Sequence, residues 1–124
     1  MYFHHLSTDV FLSDALTIEA NAEIAKAVGE KKTFFLYMAH YAVHAPFNPD
    51  HRFLDNYTST DKPEAAKKIA ALIEGMDKSL GDIMDHLEIL GIAENTLIIF
   101  LGDNGSDDPL GDEKNLKALC IPKM

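Results

Sequence analysis

The 124-residue sequence holds a single cysteine, Cys120, and no tryptophan. One thiol cannot close an intrachain disulfide, which excludes a disulfide-stapled scaffold and leaves the compartment open. Basic residues are scarce: 11 Lys and Arg stand against 20 Asp and Glu, giving a formal net charge of −9. A chain this acidic lacks the basic footprint that binds phosphate backbones, so no nucleic-acid partner is expected. An anionic substrate would equally need a bound cation to supply positive charge locally. Long apolar runs are absent as well. Nothing approaches the roughly 20 residues that cross a bilayer, and no membrane span is expected. The opening Met1-Tyr2-Phe3-His4-His5 has neither a basic n-region nor an apolar h-region and does not read as a signal peptide.

What is present is an ordinary globular mixture, 47% hydrophobic and 25% charged. Residues 1–12 show no clear period and read as a leader. Leu16, Ala20, Ile24 and Val28 then recur at helical spacing. They predict a helix over residues 14–28, with Asp9, Ser13 or Asp14 as cap and Gly29 as its close. Residues 33–39 are a continuous apolar and aromatic run. Its length and β-prone composition predict a strand buried on both faces, as in a parallel sheet. The following stretch contains Pro46, an Asn48-Pro49 step and two histidines, and reads as a loop.

A second helix is predicted from Thr60 or Asp61, with Pro63 in its first turn. Its apolar positions are Ile69, Leu72, Ile73, Met76, Leu80, Ile83, Met84, Leu87 and Leu90, and Gly91 closes it. Gly75 and Gly81 lie inside, where each costs stability relative to alanine. Packing against a sheet is one reason to keep them. Glu94-Asn95 reads as a turn, and residues 96–101 as a second buried strand leading into Gly102-Asp103-Asn104-Gly105. The order helix, strand, long helix, strand predicts an α/β fold with a parallel sheet flanked by helices.

Open parallel sheets bind ligands beyond the carboxyl ends of their strands. His40 and His44 follow the first run, and Asp103 and Asn104 follow the second. Asp103 and Asn104 supply hard oxygen donors suited to Ca²⁺ or Mg²⁺. Alone, they read more readily as an ordinary Asp-Asn-Gly turn after a strand. His44 could hydrogen-bond an anionic oxygen or act as a general acid. A loop histidine is more often structural or solvated. Asp107, Asp108, Asp112 and Glu113 read as solvated surface. No phosphate loop, Gly-x-Ser-x-Gly elbow, Cys-x-x-Cys pair or His-Glu-x-x-His helix is found.

Taken in order, these segments resemble the sulfatase family. Phe34-Phe35-Leu36-Tyr37-Met38-Ala39-His40-Tyr41-Ala42-Val43-His44-Ala45-Pro46 is similar to the family's strand leading to a histidine before a proline. Ala70-Ala71-Leu72-Ile73-Glu74-Gly75-Met76-Asp77-Lys78-Ser79-Leu80-Gly81 looks like its long helix. Thr96-Leu97-Ile98-Ile99-Phe100-Leu101-Gly102-Asp103-Asn104-Gly105 resembles its strand and Asp-Asn-Gly metal turn. The likeness is read over a sulfatase-like segment, residues 13–115, followed by a divergent tail, 116–124.

The resemblance implies an alkaline-phosphatase-like α/β fold and hydrolysis of sulfate esters, with a sulfated carbohydrate as a substrate class. It implies a formylglycine nucleophile and a calcium-type ion. Asp103 and Asn104 match metal ligands, His44 matches a sulfate contact, and Lys114 is a further candidate for substrate binding. The family's nucleophile motif, Cys or Ser-x-Pro-x-Arg, has no match here. Cys120-Ile121-Pro122-Lys123 has lysine where arginine belongs and is rejected as the nucleophile. The family's N-terminal aspartate pair has no match either. The expectation is therefore a fragment of a sulfuric ester hydrolase, inactive by itself and associating as a homo-oligomer. Rival readings are a phosphoesterase of the same superfamily and a non-catalytic α/β assembly module.

Overall fold

A computed structural model of the chain describes residues 10–44 and 46–102. Three helices order this part of the molecule: α1 (Leu12–Gly29), the short α2 (His51–Leu54) and α3 (Glu64–Ile89). Single 3-10 turns follow α2 at Asp55–Tyr57 and α3 at Ala93–Asn95.

The long helices form where the apolar spacing predicts them. α1 begins after Phe11, which offers no side-chain cap. The carboxylate of Asp14 instead lies in the first turn, where the helix dipole favours negative charge. The predicted close at Gly29 is displaced. Lys31 takes the left-handed conformation at φ 54°. Its N–H donates to Val28 O at 3.0 Å, and that of Lys32 donates to Ala27 O at 2.9 Å. This pairing is a Schellman close built on a lysine where glycine is the usual residue. α3 closes as its sequence predicts. Gly91 sits at φ 69°, with Gly91 N–H on Glu88 O at 2.9 Å and Ile92 N–H on Leu87 O at 3.0 Å.

The two long helices meet through small residues. Ser13, Ala15, Thr17, Ala20 and Ile24 are buried on α1, and Ala66, Ala71, Leu72, Gly75, Ser79 and Leu87 on α3. Small side chains let helix backbones approach closely, so this face of α3 turns toward α1 and α2. The larger apolar positions fare differently. Ile69, Ile73, Met76, Leu80 and Ile83 are half-buried, and Met84 is exposed. A methyl group added at Gly75 would stand 3.6 Å from the Phe53 ring and 3.8 Å from Asp50 Oδ2, which is ordinary contact distance. At Gly81 it would meet nothing within 4 Å. Neither glycine is required by close packing against a sheet.

The expected α/β architecture is overturned. Among the described residues there is no strand and no sheet, so the alkaline-phosphatase-like parallel sheet flanked by helices is absent from the part of the chain described. Residues 33–39 and 96–101 carry no regular element. Neither run makes a ladder hydrogen bond to the other within the described residues. Their side chains face outward: Phe35 is 91% exposed and Leu97 85%. Apolar, β-branched composition gives a segment the capacity to be a strand. A strand exists only when a second backbone satisfies its N–H and C=O groups. No helix among the described residues is long and apolar enough to cross a membrane.

Candidate active site

The loop between the first apolar run and α2 carries the two histidines singled out by sequence. His44 N–H donates to Tyr41 O at 3.3 Å, closing a turn. The His44 and Tyr41 rings lie 5.0 Å apart at 31°, within the range of attractive aromatic pairs. Ala42, between them in sequence, is buried. His44 itself is exposed. The loop therefore presents the His44 imidazole outward from a buried foothold.

His40 behaves differently. Both of its ring nitrogens are buried without a hydrogen-bond partner among the described residues. Burial disfavours the charged form and holds its pKa below the ordinary 6.5. It is a half-buried ring with no catalytic partner among the described residues.

The far end of the loop is fixed by a cluster that the sequence did not announce. Asp50 caps α2, its Oδ1 accepting Arg52 N–H at 3.0 Å. The Arg52 side chain returns to the same carboxylate, with Nε at 3.0 and 3.1 Å from its two oxygens and Nη2 at 2.5 Å from Oδ2. Arg52 Nη1 also reaches Asp14 Oδ2 of α1 at 2.7 Å. Asp50 is only 2% exposed. The bonded Arg52 guanidinium holds its carboxyl below the ordinary 3.8 despite an opposing effect of burial. Asp50 and then Asp14 hold the guanidinium in its charged form more firmly than usual. In sequence, Asp50-His51-Arg52 after Pro49 marks a helix start. Its link to Asp14 is tertiary and has no sequence signature.

An open groove of ≈ 580 Å³ runs between α1 and α3, lined in part by Asp14, Arg52, Lys78, Asp82 and His86. Its cations are already engaged: Arg52 with Asp14, Lys78 with Asp82. His86 Nε2–H donates to the Asn21 carbonyl at 3.1 Å. Among the described residues the groove has no unpaired positive charge to hold an anion.

The sequence-predicted residues divide accordingly. His44 lies in the described loop. Asp103, Asn104, Lys114 and Cys120 lie outside the described residues. Among the described residues no three His, Cys, Asp or Glu side chains group as a metal site.

An exposed histidine loop anchored on a helical layer does not by itself define a family. Comparison with known proteins defines the family. The sulfatase family model matches residues 5–117. The uncharacterized sulfatase YdeN of Escherichia coli K12 is 31% identical over 119 residues, which is 90% of this chain and 21% of that protein. The N-acetylgalactosamine-6-sulfatase of Canis lupus familiaris is 33% identical over 99 residues, 80% of this chain and 17% of that protein. An N-acetylgalactosamine-6-O-sulfatase of Bacteroides thetaiotaomicron is 31% identical over 107 residues, 85% of this chain and 19% of that protein. The chain belongs to the sulfatase family. It spans about a fifth of the length of these curated relatives.

Proposed function

We propose that this chain forms part of a sulfuric ester hydrolase, with His44 contacting the sulfate group of the substrate. The observation that carries the role of His44 is its position: an exposed imidazole at a turn, held between buried Ala42 and buried Asp50. An imidazole there can donate to a sulfate oxygen from Nε2 or Nδ1. The relatives named N-acetylgalactosamine-6-sulfatase support a sulfated carbohydrate as substrate. Their names also favour a sulfate ester over a phosphate ester.

Asp103 and Asn104 would hold a divalent cation of the calcium type. Their donor chemistry fits, since Ca²⁺ takes oxygen ligands. That ion would supply the positive charge this acidic chain lacks. Two protein ligands leave most of a shell of about six to eight oxygens to water, so the site is incomplete in this chain. Lys114 would add a point charge beside the sulfate. With no match to the nucleophile motif, the chain by itself binds without turning over.

Calorimetry tests both halves. Calcium should bind more weakly than about 10⁻³ M, the weak end of extracellular calcium modules. Micromolar binding that disappears in Asp103→Ala would show a complete site and contradict this reading. Inorganic sulfate should give a weak heat that is lost in His44→Ala. An unchanged heat in that variant would remove His44 from the site.

A further inference from the structure

An arginine close in sequence to a sulfate-contacting histidine invites the reading that it grips sulfate as well. The geometry points elsewhere. The Arg52 guanidinium carries one positive charge and faces two carboxylates, Asp50 and Asp14. Their sum is negative, so the cluster repels an anion. Its hydrogen-bonding edge is also taken, with Nε, Nη1 and Nη2 all engaged. We propose that Asp14, Asp50 and Arg52 are positioning residues, a charged clamp that fixes where His44 stands. This rests on the reading of His44 as the sulfate contact.

The clamp joins three elements. Asp14 belongs to α1, and Asp50 and Arg52 to the start of α2. Asp50 Oδ2 and the Phe53 ring lie against Gly75 of α3. The Asp50 carbonyl receives Phe53 N–H and Leu54 N–H, each at 3.1 Å, so its backbone is held as firmly as its side chain. From that fixed point the chain runs back toward His44 through Pro49 and Pro46, whose rings lock φ. Asn48 N–H donates to Pro46 O at 2.9 Å and tightens the same stretch. The proline rings fix two of the φ angles between the clamp and His44. Loosening Arg52 from Asp14 frees α2 to shift against α1, and with it the anchor from which the chain runs to His44.

NMR of the full chain tests the clamp and the sulfate contact separately. The His44 ring protons should carry a ring-current shift from Tyr41. Arg52→Gln should change that shift, Arg52→Lys should restore part of it, and helical circular dichroism should persist in both. Should Arg52→Gln unfold the chain, Asp14→Asn is the milder variant, because it leaves the Asp50–Arg52 pair in place. An unchanged His44 shift in a folded clamp variant would overturn the positioning role. Inorganic sulfate titration on the same resonances then reads the contact itself. Asp14→Asn should weaken the sulfate response of His44. If Arg52 were a sulfate ligand, removing a competing carboxylate would strengthen the response instead, and that result also overturns the clamp. A wild-type His44 that ignores sulfate while keeping its Tyr41 shift would sink the sulfate-contact reading, and the proposed purpose of the clamp with it.

Discussion

Thr17 of α1 and Ser79 of α3 share a hydrogen bond of 2.5 Å inside the seam between the two long helices. Thr17 Oγ1 already donates to Ser13 O at 2.7 Å, so Ser79 must be the donor between the hydroxyls. Both residues are buried. A net hydrogen bond contributes about 1 kcal/mol, and a buried hydroxyl left unpaired costs about 1–3 kcal/mol. Ser79→Ala removes the donor and leaves the Thr17 bond to Ser13 intact, so it should cost about 1 kcal/mol. Thr17→Val removes two bonds and strands the Ser79 hydroxyl, so it should cost more, about 2 kcal/mol or above. Urea unfolding of the two variants gives the order. A Thr17→Val cost no larger than that of Ser79→Ala would mean that the hydroxyl chain does not support the seam.

A stabilising change is expected at Lys31. Its left-handed backbone costs an L-residue about 1–2 kcal/mol, which glycine avoids. Lys31→Gly should therefore raise stability by about 1 kcal/mol after the extra entropy of the unfolded glycine is subtracted. Thermal unfolding checks the sign. A lower melting temperature would mean that the lysine side chain contributes something that the close does not reveal.

The pH dependence of stability should carry a signature of His40. Its folded pKa lies below 6.5, the ordinary value, because burial disfavours the imidazolium. The unfolded chain therefore takes up its proton first as pH falls. Stability is fully present above 6.5 and is lost as pH drops through the lower folded value. The slope from this one group cannot exceed about 1.4 kcal/mol per pH unit. His40→Gln should flatten that part of the curve in urea titrations between neutral and mildly acid pH. An unchanged slope would mean that His40 titrates alike in both states.

Self-association is expected from the exposed apolar runs. Phe35, Tyr37, Leu97, Ile99, Phe100 and Leu101 are all well exposed, a degree of apolar exposure that monomers rarely keep. Burying such surface is favourable by about 25 cal/mol per Å². The net charge of −9 opposes aggregation and leaves the runs uncovered. We expect a homodimer or larger assembly by light scattering at micromolar concentration. A clean folded monomer would show that these runs are covered within one chain.

The helices were legible because their signals are local. Apolar spacing located α1 and α3, and Gly91 located the close of α3. Lys31 was missed because a left-handed lysine has no preference to read. The small residues that α3 buries were less legible for a different reason. Large apolar residues mark the stripe that periodicity detects, and Leu72 and Leu87 of it are buried, yet the small residues Ala66, Ala71, Gly75 and Ser79 are buried with them. The two apolar runs were read as strands because composition records a capacity for pairing and is silent on whether a partner is present. His44 came from its place in a motif. The clamp from Asp14 to Arg52 joins residues distant in sequence and becomes visible only once α1 and α2 are packed.

The most direct measurement is turnover of a chromogenic aryl sulfate by the purified chain in excess Ca²⁺. The chain has a candidate sulfate contact in His44 and candidate metal ligands in Asp103 and Asn104, but no match to the nucleophile motif. No multiple turnover should be observed, with or without the metal. Calcium-dependent multiple turnover that survives Cys120→Ala, and is lost in His44→Ala, would contradict that incompleteness and place a working nucleophile within these 124 residues.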